Sequence, residues 1–182
     1  MKIRLLYLSA AVLTAAALAL PLWGFAMSAP QYPDETLHLQ VARTGIEGDV
    51  HEVTTLQQYI GVRFPTDLPE LAWATRAIVG LTALFAIGAV AGGGARAYRV
   101  VCSVAVVAFL VGSAAAVQAR LYQVGHNRDP HAPIRAVRDF TPPLVGPAKV
   151  GNFTVWSFPH IGGLSLVVAA ALSVAGTRKA VA

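Results

Sequence analysis

The chain has 182 residues, of which 55% are hydrophobic and only 13% charged, and its mean hydropathy is +0.58. An ordinary soluble domain carries about a quarter charged residues, so much of this surface does not face water. A formal net charge of +5 invites a nucleic-acid partner. The basic residues form no stripe interleaved with aromatics, however, and many flank apolar runs, which excludes that class. The single cysteine, Cys102, lies inside an apolar run, which excludes an internal disulfide framework and any multi-cysteine zinc site.

A bilayer core of roughly 30 Å takes about 20 apolar residues in helix, and four runs reach that length. The first covers residues 5–27, with Lys2 and Arg4 ahead of it. It resembles a secretory signal, because Ala26-Met27-Ser28 offers a small-residue cleavage site, but it is longer than a signal core of about 7–15 residues. An uncleaved helix is therefore expected. The second run, residues 72–95, is interrupted only by Arg76 near its start, whose long stem reaches the interface. Gly92-Gly93-Gly94 breaks it from the third run, residues 100–119, which holds no charge. The fourth, residues 155–176, begins around Pro159 and His160 and ends before Arg178 and Lys179. The expected fold is an all-α membrane protein of one domain, residues 1–182, with four transmembrane helices. Its two outer loops would be residues 28–71 and 120–154.

Charge sets the expected orientation. Lys2, Arg4, Arg96, Arg99, Arg178 and Lys179 crowd into three short segments, whereas every Asp and Glu lies between residues 34 and 70 or between 129 and 139. Dense Lys/Arg in short flanks marks the cytoplasmic side, so both termini are expected inside and both long loops outside. Loop two is itself basic (Arg120, Arg128, Arg135, Arg138, Lys149), which weakens that count. Trp23, Trp73 and Trp156 sit at the outer ends of apolar runs, and Tyr122 ends the third, as interfacial rings do.

In loop one, Leu37 to Ala42 alternates apolar and polar as a short strand does. Gly45 to Gly48 reads as a turn, with Val50 to Leu56 pairing back as a hairpin. Thr55 to Ile60 begins a short helix closed by Gly61, and Pro65, Asp67 and Pro69 lead into the second membrane helix. Loop two is rich in proline from Pro130 to Pro147, so no regular helix or central strand is expected there. Phe140, Leu144 and Phe153 suit irregular structure packed on loop one.

All five histidines, His38, His51, His126, His131 and His160, fall on the expected outer side, where two or three converging would hold copper or zinc. Gly125 to Pro130 is dense in turn formers and suits a rigid cap on the third helix that presents His126. Cys102 suits apolar packing. Residues 112–116 (Gly-Ser-Ala-Ala-Ala) and Gly162-Gly163 suit close helix–helix approach. Asn152-Phe153-Thr154 matches a glycosylation sequon, a pattern frequent by chance. No acidic residue lies at mid-membrane depth, which argues against an ion-coupled transporter. No phosphate loop, nucleophile elbow, paired catalytic carboxylates or haem-attachment motif is present, so an enzyme is not expected.

The loops carry a family resemblance. Ala29-Pro30-Gln31-Tyr32-Pro33, Gly48-Asp49-Val50, Tyr59-Ile60-Gly61, Gly125-His126-Asn127 with Asp129-Pro130, Pro142-Pro143-Leu144-Val145-Gly146, Asn152-Phe153, and Pro159 with Ile161-Gly162-Gly163 occur in that order. In these stretches the chain resembles a family of small four-helix membrane proteins from bacterial gene clusters for nitrous oxide reductase maturation, found beside copper-chaperone genes. The family's Tyr-Ile-Gly segment is preceded by Asn-His and followed by Met, whereas Gln57, Gln58 and Val62 stand here. Amide and valine replace copper-type ligands poorly. What is left for copper is His126, with His51, His131 or His160.

The resemblance implies an accessory protein of the bacterial inner membrane for maturation of, or electron supply to, an extracytoplasmic copper enzyme. Its outer loops would dock a partner protein. Tyr59, Gly61, Asn127, Asp129, Pro142, Pro143, Gly146 and Asn152 are the structural or partner-docking residues it points to. The alternatives are a structural subunit of a membrane complex, or a four-helix bundle binding a quinone, lipid or haem.

Overall fold

The computed structural model describes residues 2–30, 32–62, 65, 68–127, 129, 131–132 and 139–178, and gives the backbone alone for residues 32–34 and 57–60. In chain order the elements are α1 (Lys2–Ala17), β1 (Trp23–Ala29), β2 (Tyr32–Ala42), β3 (Gly45–Gly48) and α2 (Val50–Ile60). There follow α3 (Glu70–Val90), α4 (Arg96–His126), β4 (Gly146–Val150), β5 (Phe153–Pro159) and α5 (Ile161–Arg178).

The all-α four-helix expectation is overturned: a five-stranded antiparallel sheet, in the order β3-β2-β1-β5-β4, sits with the helices. Three helices, α3, α4 and α5, are long and apolar enough to cross a membrane. The first apolar run divides instead of forming one span. Pro21 lacks an N–H and drives the residue before it out of helical conformation, so α1 stops at Ala17 after 16 residues. The aromatic-rich end of the run, from Trp23, becomes β1, as aromatic side chains favour.

The start of the fourth run is likewise strand, and α5 begins only at Ile161. The third run extends the other way. At about 1.5 Å per residue, the 31 residues of α4 reach roughly 46 Å, so residues 120–126 are helix and not loop.

The central strand β5, between β1 and β4, takes only Phe153 and Thr154 from loop two and otherwise belongs to the fourth run, while the end of the proline-rich stretch forms β4. Proline is absent from β5 until its last residue, and Pro147 sits in the edge strand β4, where a missing N–H is tolerated. Pro130, Arg128, Arg135 and Arg138 lie outside the described residues, as do Asp67 and Lys179.

In loop one, β2 pairs with β3 in the register Leu39↔Gly48 to Ala42↔Gly45. Val50 to Leu56 does not pair back; it opens α2. Asp49 makes this junction. Its N–H donates to the His38 carbonyl at 3.0 Å, and its Oδ2 accepts the His38 N–H at 2.7 Å. Gly48 has φ +106°, and a Cβ there would lie 2.2 Å from the His38 carbonyl oxygen.

Side chains alternate across the sheet with period two. Phe25 pairs with Leu39 on one side and Ser157 on the other, and Met27 pairs with Leu37 and Val155. This apolar face turns toward the helices, while His38, Gln40, Thr154 and Trp156 share the opposite face with Ala26 and Ser28.

The helices α1, α3, α4 and α5 pack on a core of Tyr7, Leu81, Phe85, Cys102, Val106 and Ala169, among others. On α1 the buried residues Tyr7, Ala10, Ala11, Thr14 and Ala17 follow helical spacing. Small residues let the helices approach, and hydroxyls cross-link them: Thr82 to Thr14 at 3.0 Å and Ser103 to Ser173 at 2.9 Å. The outward residues are apolar too, including Leu8, Val79, Ile87, Val104 and Val168. A soluble bundle would carry charge there. Away from the sheet, Gly92, Gly93 and Gly94 all have positive φ, and a Cβ on Gly93 would meet Ile3 at 2.3 Å.

Candidate functional site

Between the apolar face of the sheet and the adjoining helix ends lies a chamber of about 560 Å³. Phe25 and Met27 of β1, Leu39 of β2, Phe109 and Val117 of α4 and Leu166 of α5 are among its walls. Ser113, Ala114 and Ala116 also line it. Sequence reasoning gave this stretch a close helix contact, but here the small side chains leave space open. Gly112, exposed on the outer side of α4, is in contact with no other helix: a Cβ there would meet nothing within 4 Å. Trp73, Val111 and Val167 line the chamber yet are 41%, 64% and 50% exposed. The chamber therefore continues sideways to the outer surface of the helices.

Among the described residues the charged lining consists of Glu70 and Arg120. Arg120 Nη2 donates to Glu70 Oε1, which ties the first turn of α3 to α4. The other polar atoms of this pair are not used up. Glu70 Oε2, Arg120 Nε and Ser113 Oγ are buried with no hydrogen-bond partner among the described residues, which is costly unless something else meets them. Ser113 lies two turns deeper than Arg120 on the same face of α4, roughly 10 Å along the axis. Glu70 and Arg120 are 50 positions apart, and no local pattern joins them. The sequence signal was weak: one acidic residue and one basic residue, each at the end of an apolar run.

The histidines are not gathered. Among the described residues no group of three or more His, Cys, Asp or Glu side chains is placed to hold a metal ion. His126 is the last residue of α4, its Nδ1 2.9 Å from the Tyr122 carbonyl oxygen and its ring stacked on Tyr122 at 3.9 Å between centroids. His131 is 89% exposed beside Asp129, and its N–H donates to Asp129 Oδ1 at 2.8 Å. His51 is exposed in the first turn of α2. His160 joins β5 to α5, and its N–H donates to the Leu22 carbonyl at 3.1 Å. Its Nδ1 is buried without a partner among the described residues.

The motif residues join loop one to loop two at Gly61 and Asp129, and loop two to α4 at Gly125 and Pro142. Gly61 (φ +71°) closes α2, and a Cβ there would lie 2.6 Å from Ala132 Cβ and 2.9 Å from the Asp129 carbonyl. The Asp129 N–H donates to the Gly61 carbonyl at 2.8 Å. Gly125 lets the Phe140 backbone approach so closely that a Cβ would sit 1.8 Å from the Phe140 oxygen. Gln118 Nε2 donates to the buried Pro142 carbonyl at 3.2 Å. Asn127 caps α4, its N–H donating to Gln123. Gly146 has φ +122° at the start of β4, Pro143 is exposed just before it, and Asn152 is exposed in the β4–β5 turn. Tyr59 lies in α2, its side chain outside the described set.

No protein-family profile, curated sequence or solved structure gives a significant match to this chain.

Proposed function

We propose that the chain is a multi-pass protein of the bacterial inner membrane whose sheet lies on the extracytoplasmic side. It serves there as an accessory protein for maturation of, or electron supply to, a copper enzyme of the nitrous oxide reductase type. The observation that carries this reading is a fastened junction: Gly61 and Asp129, which belong to the resembling motifs, join loop one to loop two, and Gly125 and Pro142, from the same set of motifs, tie loop two to α4. A rigid cap of that kind suits docking of a protein partner. The apolar outward faces of the helices support insertion in a bilayer. Lys2, Arg4, Arg96 and Arg99, in the segments that adjoin the glycine turn, support a cytoplasmic location for that end. Copper at His126, with His51, His131 or His160, is supported by the resemblance.

Pull-down from native membranes followed by metal analysis tests this. The expected result is a co-purifying extracytoplasmic or membrane partner, and copper that His126→Ala removes. Thr44→Cys, in the exposed β2–β3 turn, is expected to react with an impermeant thiol reagent from outside, and Ala95→Cys only after permeabilisation. The reverse pattern would end the proposal.

The chamber favours a second reading, in which the protein holds a membrane-soluble small molecule. Its lining includes no histidine, so a quinone or lipid suits it better than haem. An absorption spectrum with a Soret band would reverse that preference.

A further inference from the structure

We infer that the chamber binds one uncharged, hydroxyl-bearing amphiphile with a long hydrocarbon tail, taken sideways from the outer leaflet, its head held by Arg120 and Glu70. The inference rests on the small-molecule reading and is independent of copper. Pockets for ligands of this size run to about 300–1,000 Å³ and are mostly apolar with few polar groups. The chamber, at about 560 Å³ with Glu70, Arg120 and Ser113 as its polar side chains of note, has that composition.

The head group follows from what the ion pair leaves open. Arg120 Nε–H is a buried donor and Glu70 Oε2 a buried acceptor, both without a partner among the described residues. One hydroxyl can accept from the first and donate to the second. A charged head is disfavoured from both sides. The pair is already neutral, no other Lys, Arg, Asp or Glu among the described residues lines the chamber, and an anion would face Glu70 while a cation would face Arg120.

The tail follows from the walls below. From Arg120 inward, Val117, Ala116, Ala114, Phe109 and Leu166 offer hydrocarbon contact, with Ser113 the one hydroxyl on the way among the described residues. The entry follows from Trp73, Val111 and Val167, which belong both to the chamber and to the outer surface of the helices. Two sources share this chemistry, an isoprenoid quinol and an acylglycerol.

Trp23 and Trp73 line the chamber, so binding is readable as saturable quenching of tryptophan fluorescence. The full chain in lipid nanodiscs is titrated with a brominated long-chain alcohol and with the brominated alkane of equal length. Decylubiquinol and dioctanoylglycerol serve as competitors. The expected result is saturable quenching by the alcohol at about tenfold lower concentration than by the alkane, the order of one hydrogen-bonded contact to a charged group. Glu70→Gln and Arg120→Gln each erase that difference. Ala116→Phe, which fills the chamber, abolishes quenching by both probes.

Whichever competitor displaces the alcohol identifies the source, and displacement by neither overturns the inference. Equal quenching by alcohol and alkane overturns the head-group assignment but leaves a lipid-binding chamber. Absence of saturable quenching by either probe in the unmodified chain overturns the small-molecule reading itself. Because alcohol and alkane are compared on the unmodified chain, the outcome does not depend on whether any variant folds.

Discussion

Arg120 of α4 donates to the carboxylate of Glu70 at the first turn of α3, each side chain being 31% exposed. Removing either charge strands the other in a partly dry site. Exposed pairs contribute about 0–1 kcal/mol and breaking a fully buried one costs about 3–5 kcal/mol, so an intermediate loss of roughly 1–2 kcal/mol is expected for Glu70→Gln or Arg120→Gln. The double variant should lose less than the sum of the two. Unfolding by SDS titration in mixed micelles measures this, and strict additivity would show that the pair is not coupled.

Glycines in α4 and α5 give a sharper contrast. Gly125→Ala would drive a Cβ to 1.8 Å from the Phe140 carbonyl, and Gly163→Ala to 2.4 Å from that of Leu22. Both contacts are with backbone, which cannot swing aside. Gly112→Ala meets nothing within 4 Å and removes the helix penalty of a glycine, about 1 kcal/mol. The expected order is therefore a loss of roughly 2 kcal/mol or more at Gly125 and Gly163 and no loss, or a small gain, at Gly112. Thermal unfolding in detergent reads all three, and equal behaviour of Gly112→Ala and Gly125→Ala would contradict the packing.

The same glycines show what the sequence could and could not reveal. Hydropathy located the cores of α3, α4 and α5, because burial in lipid or protein demands long apolar runs. It also merged α1 with β1, since a window that averages over residues 5–27 passes over Pro21, the one residue that forbids a continuous helix. Alternation at Leu37 to Ala42 was legible as strand because β2 turns one face to the helices and the other away from them. The β1–β5 pairing was not, since its partners are separated by more than a hundred residues: Ser157 of β5 stands beside Phe25 of β1. Gly162 and Gly163 read as a helix–helix contact, but they admit the backbone of residues 20–22. The candidate binding site was legible only as isolated charges. Glu70 and Arg120 acquire meaning when α3 and α4 are set side by side.

Ser157 is 1% exposed and accepts the Trp23 Nε1–H at 2.9 Å while donating to the Leu144 carbonyl at 2.9 Å. It thus links β1, β5 and the segment before β4. Ser157→Ala leaves a donor and an acceptor in a dry interior and should cost about 1–3 kcal/mol. Trp23→Phe with Ser157→Ala removes two of the three polar groups and should recover part of that loss. If Ser157→Ala proves neutral, the bridge contributes nothing to the cap.

Ser103 of α4 and Ser173 of α5 meet at 2.9 Å, both buried. In water such a bond competes with solvent; between apolar helices the competitor is another protein group, and measured values average about 0.6 kcal/mol with a maximum near 1.7 kcal/mol. Ser103→Ala and Ser173→Ala are each expected to fall in that range. The double variant should cost no more than the larger single one, because a lone hydroxyl left behind is what carries the penalty. Losses in the cycle that simply add would mean that each serine bonds its own helix backbone, and the α4–α5 contact would then rest on apolar packing by residues such as Cys102, Val106 and Ala169.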